Sequence, residues 1–140
     1  MLRQIIKISV ITSRAINLLR VNNSFVWLEL LPGKSFYELN PTLRTINFTE
    51  KSENGNAGTS YEQKLSCGVT VDKSDNALIN YLERSRLVVK LEYSTREVEI
   101  MGTMDFPAIL TVSMDVNNSS IYKFEFVCKS IYRLLKLVEK

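Results

Sequence analysis

A chain of 140 residues, 45% hydrophobic and 24% charged, has the length of one domain and is too apolar to be disordered. Its 18 basic and 15 acidic residues are scattered and leave a formal charge of only +3, which speaks against a nucleic-acid binder built on one basic run. There is no histidine, so the commonest general base and the commonest metal ligand are missing, and Ser–His or Cys–His nucleophile pairs are excluded.

Arg3–Ile11 opens the chain with Ile6, Ile8 and Val10 alternating against Lys7 and Ser9, the period of a strand with one face on a core. Lys7, Ser9, Thr12 and Arg14 interrupt the apolar residues of Met1–Ile16, so neither a signal peptide nor a membrane span is expected there. Thr12–Val21 fits a short helix or a strand. Asn22-Asn23-Ser24 reads as a turn, because asparagine tolerates left-handed backbone angles. Phe25–Leu31 follows as an aromatic-rich strand that Pro32-Gly33 ends. Ser35–Leu43 reads as a connector and Thr45–Glu50 as a short strand with Ile46 and Phe48 inward.

Lys51–Ser60 carries two glycines, two asparagines and almost no apolar surface, and is expected to be a flexible exposed loop or hairpin tip. Tyr61–Val71 resumes the strand pattern with Tyr61, Gln63, Leu65, Cys67 and Val69 on one face. A helix is expected over about 72–85, capped by Asp72 or Ser74, with Ala77, Leu78, Tyr81 and Leu82 on its buried stripe.

The stretch Leu87–Cys128 has the strongest alternation. Leu87 to Tyr93, Val98 with Ile100, Leu110 to Met114 and Tyr122 to Cys128 each set apolar against polar residues, and tight turns separate them. Parallel strands are buried on both faces and lack this alternation, so an antiparallel meander is expected. Asn117-Asn118-Ser119 is its last turn. In Ser130–Lys140, Ile131, Leu134, Leu135 and Val138 stand at helical spacing, which favours a C-terminal helix over a last strand. The fold class expected is mainly β: a single domain over 1–140, an antiparallel β-sandwich or partly closed barrel with one α-helix.

Chemistry is sparse. Cys67 and Cys128 are too few for a disulfide framework or a closed zinc site and read as buried thiols. Glu97 and Glu99, with Glu92 across the turn, could bind a cation or run acid–base chemistry, but a solvated sheet face is the plainer reading. Lys129, Arg133, Lys136 and Lys140 form the one local basic excess and read as a solvated face rather than a phosphate site. Trp27, with Phe25 and Phe36, could form an aromatic platform for a sugar or base, but core packing is the plainer reading. No cofactor, no metal and no catalytic residue is expected. Lys51, Glu53, Asn54, Asn56 and Thr59 are the candidates for partner contacts, since long polar loops on small sandwiches often carry them.

Two segments carry a resemblance. One runs from Phe48-Thr49-Glu50 through a polar loop into Gly58-Thr59-Ser60-Tyr61-Glu62-Gln63-Lys64-Leu65; the other is Ile100-Met101-Gly102-Thr103-Met104-Asp105-Phe106-Pro107, followed by a strand, an asparagine-rich turn and Tyr122–Phe126. Over Phe48–Cys128 the chain resembles small uncharacterised proteins encoded among virion and tail genes of phages and prophages of Bacteroides-type bacteria. The C-terminal basic segment has no counterpart in that pattern. The resemblance implies a virion structural protein of tail-tube, neck or tail-completion type that assembles into rings with itself and other virion proteins. It would sit in the host bacterial cytoplasm during assembly and in the virion afterwards, with no membrane contact and no recognition of nucleic-acid sequence. The alternative from the residues is a monomeric β-sandwich binding module for a carbohydrate or other small ligand.

Overall fold

The computed structural model describes residues 3–70, 75–115 and 118–138. In chain order the strands are β1 (Ile5–Thr12), β2 (Ile16–Asn22), β3 (Phe25–Leu30), β4 (Tyr37–Leu39), β5 (Pro41–Gly55) and β6 (Gly58–Thr70). Helix α1 (Asn76–Glu83) follows, then β7 (Leu87–Tyr93), β8 (Val98–Met101), β9 (Ile109–Asp115), β10 (Asn118–Ser130) and β11 (Leu135–Leu137). A 3₁₀ turn, Ser13–Ala15, separates β1 from β2. One sheet has the order β2-β3-β11-β8-β7-β1-β4 and the other β5-β6-β10-β9. Every pairing is antiparallel except β11 with β3. The protein is therefore mainly β, with one α-helix among the described residues: the seven-stranded sheet curls into a half-barrel, and the second sheet closes a sandwich against it.

Strand alternation builds two cores. Ile8, Val10, Leu87, Val89 and Leu91 point from the large sheet toward Leu65, Cys67, Phe124, Phe126 and Cys128 of the small one. The opposite face of the large sheet is not wet. Ile11, Val88, Ile100 and Leu135 pack there against Val26, Leu28 and Leu30 inside the curl. This is why Val88 is buried although it alternates with the inter-sheet residues: a curled sheet covers both faces of its central strands.

The meander is corrected in its pairing. The four strands exist, but β7 and β8 belong to the large sheet and β9 and β10 to the small one. The chain changes sheets at Gly102–Ala108. Gly102 has φ +95, and an added Cβ would stand 3.0 Å from the Leu87 carbonyl oxygen and 3.1 Å from the Ala108 nitrogen. Thr103 then closes the bend: its N–H donates to the Phe106 carbonyl, and its hydroxyl accepts from the Phe106 N–H at 3.1 Å. The Thr-Met-Asp bend of the second motif is thus the crossover between sheets.

The C-terminal helix is also corrected. Leu135–Leu137 form β11, antiparallel to β8 and parallel to β3. A lone helix of eleven residues is marginal in water, whereas the slot between β3 and β8 supplies two hydrogen-bonding edges and buries Leu135. Ile131, assigned to the helix stripe, is exposed.

Smaller differences follow the same logic. Thr12–Val21 resolves into the 3₁₀ turn and β2, and the connector Ser35–Leu43 contains β4. The helix buries Ile79 and Leu82 rather than Ala77 and Tyr81, both of which are exposed. Its expected caps, Asp72 and Ser74, lie outside the described residues, as does Asn117 of the last turn.

Candidate functional site

The segment expected to be a loop is an ordered β-arm. β5 and β6 remain paired out to Gly55 opposite Gly58, which leaves Asn56-Ala57 as a two-residue turn. Gly58 takes φ +113, an angle glycine adopts without steric cost. Thr59 donates its hydroxyl to the Asn54 carboxamide oxygen at 2.7 Å across the ladder. Every residue from Lys51 to Ser60 is exposed, including the candidates Lys51, Glu53, Asn54, Asn56 and Thr59. At the usual strand rise, Lys51–Gly55 carries the tip about 17 Å beyond Glu50.

Where the arm leaves the body it is clamped. The Glu50 carboxylate accepts from the buried Gln63 carboxamide at 2.9 Å, from the Leu134 N–H at 3.0 Å and from the Arg133 guanidinium at 3.2 Å. Arg133 also lies over the Tyr61 ring, 4.8 Å from its centroid. The clamp ties the hairpin to the segment that carries the chain from β10 to β11. No sequence motif marks it, because its members come from three distant stretches. Inverted hydropathy at Gln63, a polar residue on the apolar face of β6, is the one signal of it in the chain.

The two edges of the small sheet differ. On β9 the Val112 N–H donates to the Glu83 carboxylate of α1 at 3.3 Å, so the helix covers that edge. Among the described residues, β5 has no strand on its outer side. Its first half is irregular: the register shifts between Thr42 and Asn47, and Thr45 folds inward to accept from the Gly68 N–H at 2.7 Å. Asn47–Gly55 pairs without a break, and its outer backbone groups are open. Bulges and proline are among the common guards of sheet edges; here they lie within Pro41–Arg44 and the shift that follows it, and from Asn47 to Gly55 the edge has neither.

The other candidates fare differently. Glu99 is not on a solvated face: it is 6% exposed, on the same side of the sheet as Leu91. The Arg3 guanidinium lies 2.9 Å from Glu99 and 2.7 Å from Glu97, and 4.1 Å from the centroid of the Tyr93 ring. Burial, aided by the Glu99 carboxylate, pushes the Tyr93 phenol up. Glu92 sits on the opposite face, 3.7 Å from Lys7. The trio is therefore not one carboxylate site.

Trp27 and Phe25 share the outer face of β3, with Arg20 stacked 5.2 Å from the indole centroid. Phe36 packs against the inner core of the curl under Lys90, so the three aromatics do not meet. Cys67 and Cys128 are free and buried, and burial pushes their thiols up to about 12 and about 11. The basic C-terminal residues Lys129 and Arg133 are paired with Glu62 and Glu50, Lys136 is exposed on β11, and Lys140 lies outside the described residues. Among the described residues no group of His, Cys, Asp or Glu has the makings of a metal centre, and no helix is long and apolar enough to cross a membrane. No family model, no curated protein and no solved structure matches the chain.

Proposed function

We propose that this protein is structural and acts by self-association, with the β5–β6 arm as its docking element. One observation carries the reading: a fully exposed, strand-paired arm with an open, regular edge over Asn47–Gly55. An isolated two-stranded hairpin is marginal in water, and this one has no apolar residue beyond Tyr61 to hold it except Ala57 in the turn. Its unpaired N–H and C=O groups fit strand addition on a neighbouring copy, where main-chain bonds supply affinity and the polar side chains supply register. Asn54, Asn56 and Thr59 at the tip and Lys51 and Glu53 along the shaft are the contacting residues. Such an arm-and-edge assembly closes into a ring when the rotation per subunit allows it. That is compatible with the tail-tube, neck or tail-completion role that the resemblance implies, without a catalytic step.

The test is sedimentation velocity of the full chain beside a variant in which an Asn-Gly turn replaces Asn54–Thr59. That turn is well suited to joining Glu53 and Ser60, which face each other two pairs below Gly55 and Gly58 and so share their hydrogen-bonded geometry. The intact chain is expected to form larger species with rising concentration, while the shortened one stays monomeric with an unchanged melting temperature. Equal sedimentation of the two chains would overturn the role of the arm.

A further inference from the structure

A cleft of about 620 Å³ lies between the 3₁₀ turn and the C-terminal end of α1, lined by Thr12, Ser13 and Arg14 on one wall and by Tyr81, Arg84 and Arg86 on the other. It plays no part in the arm, and the reading of it is independent of self-association. Its walls are fixed to each other: the Ser13 N–H donates to the Arg86 carbonyl at 2.9 Å. The helix end is satisfied locally. Ser85 donates its hydroxyl to the Tyr81 carbonyl at 2.6 Å and its N–H to the Leu82 carbonyl at 3.2 Å. The arginines are therefore not needed to cap those carbonyls.

Three arginines line the cleft and no carboxylate does. Arg3 and Arg133 are each bound to glutamates, but Arg14, Arg84 and Arg86 enter no ion pair among the described residues. Glu83, the nearest acid along the chain, is turned away to the Val112 N–H. The partial negative charge at a helix C-terminus, roughly half an elementary charge, offsets little of three full positive ones. A concave surface lined by one sign of charge concentrates counter-ions.

The geometry points to a nucleoside-phosphate site. Arginine forks match phosphate oxygens bidentately, and the Thr12 and Ser13 hydroxyls add donors. Tyr81, 51% exposed on the wall, offers a ring face on which a base can stack. The volume falls within the ordinary range for small-ligand clefts. A free nucleotide and a single nucleic-acid strand present the same chemistry. Neither would be read for sequence, since phosphate contacts and stacking carry little of it.

The experiment is fluorescence anisotropy of a short fluorescein-labelled oligothymidylate on the full chain, with thymidine monophosphate and inorganic phosphate as competitors. Binding to three phosphates predicts a slope of about −2 in log affinity against log salt. A variant combining Arg14→Gln, Arg84→Gln and Arg86→Gln is expected to lose at least about tenfold in affinity and to flatten that slope. A control combining Lys34→Gln, Lys123→Gln and Lys136→Gln removes the same charge elsewhere and is expected to lose less than about twofold, because screening confines the effect to nearby charges. Tyr81→Ala is expected to weaken the strand and thymidine monophosphate while sparing inorganic phosphate. Competition by the monophosphate assigns the site to free nucleotides, and competition by strands alone assigns it to nucleic acid. No binding at low salt, or equal loss in the two triple variants, would overturn the site. Equal weakening of all three probes by Tyr81→Ala would overturn its nucleoside part. All seven substituted side chains are on the surface, so unchanged thermal melts are expected to accompany each variant.

Discussion

The β5–β6 hairpin is one continuous ladder in two environments. Its base, Asn47–Glu50 opposite Gln63–Ser66, rests on the inter-sheet core through Phe48 and Leu65 and is held by the Glu50 clamp. Its tip, Lys51–Ser60, has the same backbone hydrogen bonds and no core beneath it. The comparison separates two things that a ladder combines. Register runs from end to end, but stability comes from side-chain burial and ceases where burial ceases. A segment with fixed register and little dependence on the core is suited to meeting another molecule.

Perturbing the base sharpens the contrast most. Leu65 is fully buried, and Leu65→Ala should cost about 3–4 kcal/mol in urea unfolding, as other buried leucines do. Hydrogen exchange should show the base protected to near the global stability and the tip exchanging through local opening. A tip as protected as the base in the monomer would erase the distinction.

Alkaline pH attacks the core on which the base rests, through Cys67 and Cys128, and acts also through the buried Tyr93 phenol of β7. Cys67 on β6 and Cys128 on β10 have thiols raised from 9.0 to about 12 and about 11 by burial. Between those values the unfolded chain has released its thiol protons and the folded chain has not. Stability is therefore fully present below about 9.0 and falls as pH rises. Each thiol contributes a slope of about 1.4 kcal/mol per pH unit. Urea midpoints measured from pH 8 upward check the sign, and a Cys67→Ala, Cys128→Ala double variant should flatten the curve.

Next comes the clamp. Glu50→Ala leaves the Gln63 carboxamide and the Leu134 N–H without that acceptor, and should cost about 1–3 kcal/mol by thermal or urea melting. At the tip, Thr59→Ala removes only an exposed cross-strand bond and should change stability by less than about 0.5 kcal/mol. A loss at Thr59 as large as that at Glu50 would mean that the arm shares the fold's stability after all.

The same distinction explains what the residues made legible. Alternation arises when one strand face is dry and the other wet, so β1, β6 and β7–β10 could be read from their period, and β3 from its aromatic and apolar run. Both faces of the arm tip are wet, which leaves Lys51–Ser60 with the composition of a loop although its backbone is paired. β11 is only three residues long, and Leu134 and Leu135 point into different cores, so its apolar pattern matches a helix as well as a strand. Nor does alternation name a strand's neighbour: β8 and β9 read as consecutive members of one sheet, and only Gly102 with its crossover separates them. The candidate site was legible in part. Its exposure and its five polar residues followed from composition, while its strand pairing, its open edge and the Glu50 clamp depend on pairings across the chain. The arginine cleft was invisible for a related reason: Arg14 is far in sequence from Arg84 and Arg86, and no local basic run announces them.

The position of β11 governs the order in which the polypeptide can mature. The β2–β3 hairpin reaches its sheet only through β11, which occupies the place between β3 and β8. During synthesis that hairpin emerges early, with Val26 unable to meet Leu137 until nearly the whole described chain has been made. Until then the apolar side of the hairpin and the inner wall of the half-barrel lack the strand that joins them. Loss of the few residues around Leu135–Leu137 would accordingly do more than fray a terminus: it would divide the large sheet in two.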